Sequence, residues 1–597
     1  MNNALADCVF EVSYETCHKV GGIYTVISSK ALQMKKHYSE YYLIGEYFPN
    51  SSDIEFASLQ TPTNLIAAFE ALEKKGVTAH FGKWLIKGEP NVILLSFNPL
   101  YEKRNDWRQF FWDNYQIDSI KAGHDFDEPM LLSVAAGMLI EEISRRQTYA
   151  AKKIICHSHE WMCGFTNLYL RTHVPQVKTV FTTHATMLGR SLSGSGAQMY
   201  SEIETINPQE EAQRLGIMEK FTAERACAQQ SDVFTTVSDI TGIEATYFLG
   251  RKPDILVLNG LDMEQFPSFE QAAITHAQSK EKIKEFLQYY FFPYHTFNTD
   301  KTTITFCSGR NEFKNKGIDS TIKALGELNK ELVAKKSDKT VVCFFWVPYE
   351  THGIKKEVLE NKIFYRNLYS KLEQIQKKIH KDFVTRVLTN IQLNTYQAVD
   401  EEHMHEIRHM KKLFQRYTNQ APLCTHYIPD EENNEVIRAF RDNGLTNSPE
   451  NKVKVIYYPV YLNGADGLLD MDYYQSINGT HLGLFPSYYE PWGYTPLEGA
   501  ALAIPVITTD TAGFGQFIKK KMKKSEGIFI LERLRKHYNI SQYVSILSNF
   551  ISLTHHERVK HKISAKLLSE HADWAILVDN YIQAHNLALT RNATHRL

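Results

Sequence analysis

The chain has 597 residues, too many for a single hydrophobic core, so two or three domains are expected. Its 43% hydrophobic and 23% charged content are those of an ordinary globular protein. With 67 basic against 68 acidic residues the formal net charge is −1, which excludes bulk attraction to nucleic acid or to an anionic membrane.

From the amino terminus, "MNNALADCVFEVSYE" carries no basic segment followed by an apolar one, so no secretory leader is expected. "KVGGIYTV" (19–26) sets Gly21 and Gly22 between a strand-like start and a helix, where backbone can approach a ligand or simply turn. The apolar stretch "MLLSVAAGMLI" (130–140) is far too short to span a bilayer. Short β-branched or aromatic runs then alternate with helical segments: "NVILLSF" (91–97), "KKIICHS" (152–158), "VKTVFTTHAT" (177–186), "DVFTTVS" (232–238) and "DILVLNG" (254–260). A second series comprises "TITFCSGR" (303–310), "TVVCFFWVP" (340–348), "KVKVIYYP" (452–459), "HLGLFPS" (481–487) and "PVITTD" (505–510). Continuous apolar strands separated by helices indicate parallel sheets buried on both faces. The reading is α/β, with two doubly wound domains whose ligands bind beyond the carboxyl ends of the strands.

The domain break is placed near 262–300. Residues 354–421 contain neither Gly nor Pro and read as amphipathic helix inserted into the second domain. Such an insertion serves either as a solvated hairpin or as an oligomerisation or regulatory surface. The eight cysteines are scattered singly, which suggests a reducing cytoplasm. "CHSHEWMC" (156–163) has metal-binding residue types without C-x2-C or H-x3-H spacing, so a buried strand ending in a loop is the better reading.

Three strand ends carry residues suited to chemistry. "SGRNEFKNKG" (308–317) places Arg310 and Lys316 in a glycine-bounded loop, where a forked guanidinium and a point charge can neutralise a diphosphate. "TTHATMLGR" (182–190) ends a strand with His184 and Arg190. "YYEPWGYTPLEG" (488–499) brackets two prolines and a glycine with Glu490 and Glu498. Its Thr-x-x-Glu pattern reads as a capping box, with Thr495 as N-cap, Pro496 at the first helical position and Glu498 at the third. That accounts for Glu498 locally but leaves Glu490 unexplained, while the helix start itself suits a phosphate.

Together, "VGGIYTV", "HEW" (159–161), "FTTHATMLGR", "DVFTTVS", "NGLD", "GRNEFKNKG", "FPSYYEPWGYTPLEG" and "GFG" (513–515) resemble the glycogen synthases of the animal and fungal type, retaining glycosyltransferase family 3. The resemblance runs in order from about residue 9 to 515. It implies a GT-B fold with domains at 1–265 and 266–560, and a C-terminal segment 561–597 crossing back to the first. It also implies glucose transfer from a nucleotide sugar to the non-reducing 4-OH of an α-1,4-glucan, with retention of configuration and without a metal or other cofactor. By motif, Arg310, Lys316 and Arg190 would meet the diphosphate, Glu490 the reacting sugar, His184 the donor glucose and Glu498 the ribose. Gly21 and Gly22 would lie at the phosphates, Tyr473 on the base, and Trp492, Gly493, Tyr494 and Thr495 would line the donor site. Tyr473 suits uracil or adenine, so UDP-glucose is expected from the resemblance and ADP-glucose stays open. The sugar-phosphate-binding arginine helix of regulated members would correspond to "RHMKKLFQR" (Arg408, Lys411, Lys412, Arg416), where two lysines stand among few arginines and weaken that expectation. The long phosphorylated tails of those members are not expected in so compact a form. A homo-oligomer through the insertion, up to a tetramer, is expected, located in the cytoplasm and independent of nucleic acid and membrane. Four alternatives are another GT-B transferase with a different acceptor, a silent glucan-binding scaffold, a glycogen phosphorylase, for whose lysine-bound pyridoxal phosphate the sequence shows no sign, and a nicotinamide oxidoreductase. The last lacks its glycine fingerprint.

Overall fold

The computed structural model describes residues 3–48, 55–194, 199–389, 401–534 and 539–591. Nine strands form the first sheet: β1 (Cys8–Val12), β2 (Glu40–Glu46), β3 (Phe56–Ser58), β4 (Thr78–Trp84), β5 (Asn91–Ser96), β6 (Ile154–His159), β7 (Lys178–Thr183), β8 (Val233–Thr236) and β9 (Ile255–Leu256). Their order is β3-β4-β5-β2-β1-β6-β7-β8-β9, parallel except for the antiparallel edge β3-β4-β5. The second sheet holds β10 (Thr302–Ser308), β11 (Thr340–Trp346), β12 (Val453–Tyr457), β13 (Leu482–Leu484), β14 (Val506–Thr509) and β15 (Ile528–Leu531), in the order β12-β11-β10-β13-β14-β15 and wholly parallel.

The central strands are buried on both faces because helices cover both sides, which is why they read as unbroken apolar runs. In each sheet the chain builds outward from a central strand, first to one side and then to the other. β1 lies between β2 and β6, and β10 between β11 and β13. A crevice opens at the carboxyl end of such a switch point. The loop after β1 is "KVGG" and the segment after β6 begins "EW"; the loop after β10 is "GRNEFKNKG" and the segment after β13 is "PSYYEPWG". Topology alone therefore collects four of the quoted motifs at two strand switches.

Two details differ from the sequence reading. β6 is followed at once by the helix Glu160–His173 rather than by a loop, and "DILVLNG" contributes only the two-residue β9. The insertion is helical, with Lys356–Leu388 and Glu401–Phe414 packed together and joined by a Lys371–Glu406 ion pair of 2.6 Å. The helix His555–Ser569 stays on the second domain, against the helix Tyr494–Ala501 and β15. The chain crosses at Ala572–Trp574, where Leu261 N–H donates to Ala572 O (2.9 Å) and Trp574 N–H to Leu261 O (3.0 Å). The final helix, Trp574–Thr590, then packs on the first-domain helix Gly22–His37 and on β7 and β8. Among the described residues no helix is long and apolar enough to cross a membrane.

Candidate active site

The two second-domain loops are locked to each other by backbone. Gly317 adopts φ +68°, and an added Cβ would lie 2.1 Å from the Pro486 carbonyl oxygen, so only glycine lets the "NKG" turn approach the segment after β13. Beside it the Tyr488 N–H donates to Asn315 O (2.9 Å). These contacts bring Lys316 and Glu490, 174 positions apart, into a direct ion pair in which both side chains keep partial access to solvent. Glu490 is held from its other side by the Gly513 N–H, which donates to its carbonyl (3.0 Å) and places the "GFG" motif. Arg310 does not join this pair: it is exposed and turns to Glu312, 2.9 Å away.

The helix after Glu490 differs from the expected capping box. It starts at Tyr494 with Gly493 as N-cap at φ +109°, and no side chain caps it, so Thr495 sits inside the first turn. A left-handed entry needs glycine, and that geometry displaces the Thr-x-x-Glu register. Glu498 is released from capping and accepts from Tyr474 Oη (3.0 Å). Burial pushes its carboxyl up to about 6, against the Tyr474 hydrogen bond and the Lys19 charge. Tyr473 reaches Ser308 Oγ at the end of β10 (3.0 Å). The Trp492 ring is not in the crevice: it is buried against Phe514 and Phe517, leaving its backbone to face neighbours. The Tyr494 ring is likewise packed inward, with its hydroxyl buried.

In the first domain the Gly21 and Tyr24 N–H groups already donate to Glu15 Oε2 (2.7 and 2.8 Å). The N–H groups of Gly22 and Ile23 carry no hydrogen bond among the described residues, and a Cβ at Gly22 would meet nothing within 4 Å. That open side is where a ligand can approach the helix start. His184 follows β7, and its Nε2 lies 2.9 Å from His159 Nδ1. Burial, then His159, holds its pKa well below the usual imidazole range, so it is neutral.

The segment 183–190, from the end of β7 into the first turn of the helix Met187–Gly194, is anchored by three buried carboxylates that motif reading missed. Glu160 accepts the N–H groups of His184 (2.8 Å) and Ala185 (3.1 Å), from a backbone held at the left-handed φ of +63°. Glu224 accepts from the Thr183 hydroxyl and the Met187 N–H (2.8 Å). Glu244 takes hydroxyls from Thr186 (2.7 Å), Tyr200 (2.7 Å) and, across the crevice, Tyr489 (3.3 Å). Burial raises the three to about 7, 8 and 7 respectively, with Arg190 pulling Glu160 and Glu244 back down. Arg190 itself is exposed, on the helix Met187–Gly194 that follows. Tyr489–Glu244, a Ser193–Asn315 hydrogen bond (2.9 Å) and a Lys520–Asp239 ion pair (2.7 Å) join the two domains next to Lys316 and Glu490.

The stretch 156–163 forms no separate metal cluster of cysteines: all eight cysteines are buried and unpaired. Ligand atoms of Glu11, His157 and His159 do lie within 4.8 Å of one another, a spacing a cation can use. They are already engaged. Glu11 binds the Lys30 ammonium, Tyr41 Oη (2.5 Å) and His159 Nε2 (2.5 Å), and His157 bonds His585 (3.0 Å) and Thr182 (2.6 Å). The Glu11 charge is thus already balanced by an internal ammonium. In the insertion, Arg408, Lys411 and Lys412 are exposed along one helix, whereas Arg416 is tied to Glu360 and Asn361 (2.9 and 2.8 Å). These four do not gather into a site.

Two nucleotide-fold domains with opposed strand switches, and a lysine–glutamate pair at the second of them, define a GT-B glycosyltransferase. The catalytic domain of starch synthase IV from Arabidopsis thaliana shares that fold, with TM-score 0.52 at 14% identity, over 98% of this chain and all of that one. The glycogen synthase family model matches residues 11–596. Glycogen synthase isoform 2 of Saccharomyces cerevisiae is 33% identical over 98% of this chain and 86% of its own length. The liver enzyme of Mus musculus is 33% identical over 98% and 83%. The chain belongs to the glycogen synthase family.

Proposed function

We propose that this chain transfers glucose from a nucleotide sugar, UDP-glucose in the first instance, to the non-reducing 4-OH of an α-1,4-glucan with retention of configuration. The observation that carries the reading is the Lys316–Glu490 pair at the second strand switch, facing the neutral His184 loop of the first domain. Diphosphate oxygens compete with Glu490 for the Lys316 ammonium. As the leaving group takes Lys316, the Glu490 carboxylate is freed beside the sugar whose anomeric carbon gains positive charge. Arg190 and Arg310 add cations at the rim, so the negative charge of the leaving group is met by protein and no metal is invoked. Glu498 and Tyr474 form an acceptor and hydroxyl pair for the ribose, and Gly22 offers backbone to the phosphates. Incubation with UDP-glucose or ADP-glucose and glycogen should release nucleoside diphosphate and lengthen chains, with glycogen far outperforming free glucose and sugar phosphates as acceptor. No turnover with either donor contradicts the reading, and glucan binding without turnover favours a scaffold instead.

A cytoplasmic homo-oligomer built through the insertion belongs to the same proposal. It is supported by exposed Tyr369, Leu372, Phe383 and Leu388 along the long helix. For a sugar-phosphate regulator we add to the 408–416 expectation a second candidate, basic groups close enough to repel one another at the amino-terminal edge of the second sheet. There Arg558 reaches Thr303 Oγ1 (3.2 Å), His276 stacks edge-on to His481, and Lys280 and Lys562 have no hydrogen bond or ion pair among the described residues. Activation by glucose phosphate that survives Lys411→Ala and is lost in Lys562→Ala supports this placement; the reverse refutes it.

A further inference from the structure

The donor-side histidine is the end of a buried polar chain that crosses the first sheet. Lys30, on the helix after the glycine pair, is fully buried and bonds Glu11 in β1; its ammonium also sits 4.9 Å from the centre of the Tyr581 ring of the last helix. Glu11 Oε1 is 2.5 Å from His159 Nε2, and His159 Nδ1 is 2.9 Å from His184 Nε2. The register explains the convergence: Glu11 pairs with His157 across β1 and β6, and His159 with Thr182 across β6 and β7.

The chain has a direction. A carboxylate beside an ammonium is ionised and can only accept, so His159 Nε2 carries a hydrogen and donates to it. One positive charge, Lys30, already balances Glu11, so a second charge on the fully buried His159 ring has no counterion, and burial keeps that ring neutral. His159 Nδ1 is then a bare acceptor, which requires His184 Nε2 to carry hydrogen. The remaining nitrogen of His184, Nδ1, is unprotonated and has no partner among the described residues.

Resting on the glycosyl-transfer reading above, we propose that Lys30, Glu11 and His159 are positioning residues that lock His184 in its Nε2–H tautomer, so that Nδ1 accepts a hydrogen bond from one hydroxyl of the donor glucose. The relay makes His184 a selective reader of a sugar O–H, unable to donate to an oxygen that lacks hydrogen. A merely structural network would satisfy buried polar atoms without setting this polarity.

Two measurements test it. The first compares kcat/KM for UDP-glucose and its 2-, 3-, 4- and 6-deoxy analogues in wild type, His159→Phe and His159→Gln. In wild type one analogue should fall by roughly tenfold, the cost of one lost hydrogen bond. In His159→Phe that penalty should shrink to about twofold or less while the other analogues keep their ratios, because the His184 ring, without its Nε2 partner, is no longer held with a bare Nδ1 aimed at that hydroxyl. His159→Gln should restore the penalty, since its amide can donate to Glu11 and accept from His184. An unchanged deoxy pattern in His159→Phe overturns the proposal. The second measurement needs no substrate and no folded variant of His159: imidazole ¹⁵N resonances of wild type, with His184 assigned by its loss in His184→Gln. An unprotonated Nδ1 with protonated Nε2 supports the relay, and the opposite tautomer or a charged ring overturns it. If wild type turns over no nucleotide glucose at all, the functional reading fails while the resonances still decide the relay.

Discussion

The two walls of the crevice are built differently. The first-domain segment 183–190 is held by Glu160, Glu224 and Glu244, all buried, and His184 is held by His159. The second-domain loop 309–317 presents an exposed Arg310 and a Lys316 whose partner is another site residue. One wall is fixed by the protein's own hydrogen bonds; the other holds charges that a ligand can claim. The difference teaches where each kind of substitution acts. On the second wall it removes transition-state stabilisation, and on the first it loosens geometry that the protein has already ordered.

The largest effects are therefore expected on the second wall. Glu490→Ala and Lys316→Ala should each lower kcat by about a hundredfold or more, while circular dichroism and the melting temperature stay close to wild type. Near-normal turnover in either variant removes the role given to that residue. The tethers between the walls come next. Tyr489→Phe deletes the hydroxyl that reaches Glu244, and kcat should fall by roughly fivefold with little change in donor KM. A change in KM alone would assign Tyr489 to binding instead.

Titration separates the walls further. Glu498 is raised to about 6 by burial, so it is a carboxylate acceptor for the ribose only above that pH. Donor KM should rise as the pH is lowered through about 6, and Glu498→Gln should show a flat KM over the same range. The smallest effect concerns stability of the first wall. Glu224 loses its proton near the ordinary carboxylate pKa when unfolded and near 8 when folded. The folded state then binds more protons, and stability falls as pH rises from about 4.5 through 8. Glu224→Gln should flatten the decline in melting temperature between pH 6 and 8 by a few degrees, and an unchanged slope would show that Glu224 is ionised when folded.

Much of this was legible in the sequence because local rules and topology coincide. Unbroken apolar runs such as "TITFCS" and "HLGLF" follow from burial on both faces, and the loops after them fall at switch points. Glycine at 317 and 493 marks backbone that other residues cannot follow. The capping box failed because Thr495 and Glu498 satisfy a local pattern two residues beyond the true helix start, which the left-handed Gly493 fixes. Trp492 was misplaced because an aromatic beside a site fits a core as well as a cleft. Glu160, Glu224 and Glu244 left almost no signal: they come from three helices, and only Glu160 fell inside a quoted motif, "HEW". Glu11 and Lys30 are invisible for the same reason, since a charged pair in a strand and a helix becomes a relay only when β1, β2 and β6 are side by side.

The central claim is that Lys316 and Glu490 act as one unit on the departing diphosphate and the sugar it leaves. The direct measurement is kcat for Lys316→Ala, Glu490→Ala and the double variant with nucleotide glucose and glycogen. The account predicts strong non-additivity, with the double variant scarcely slower than the worse single one. Losses that multiply across the two substitutions would mean that the residues work independently and would contradict it.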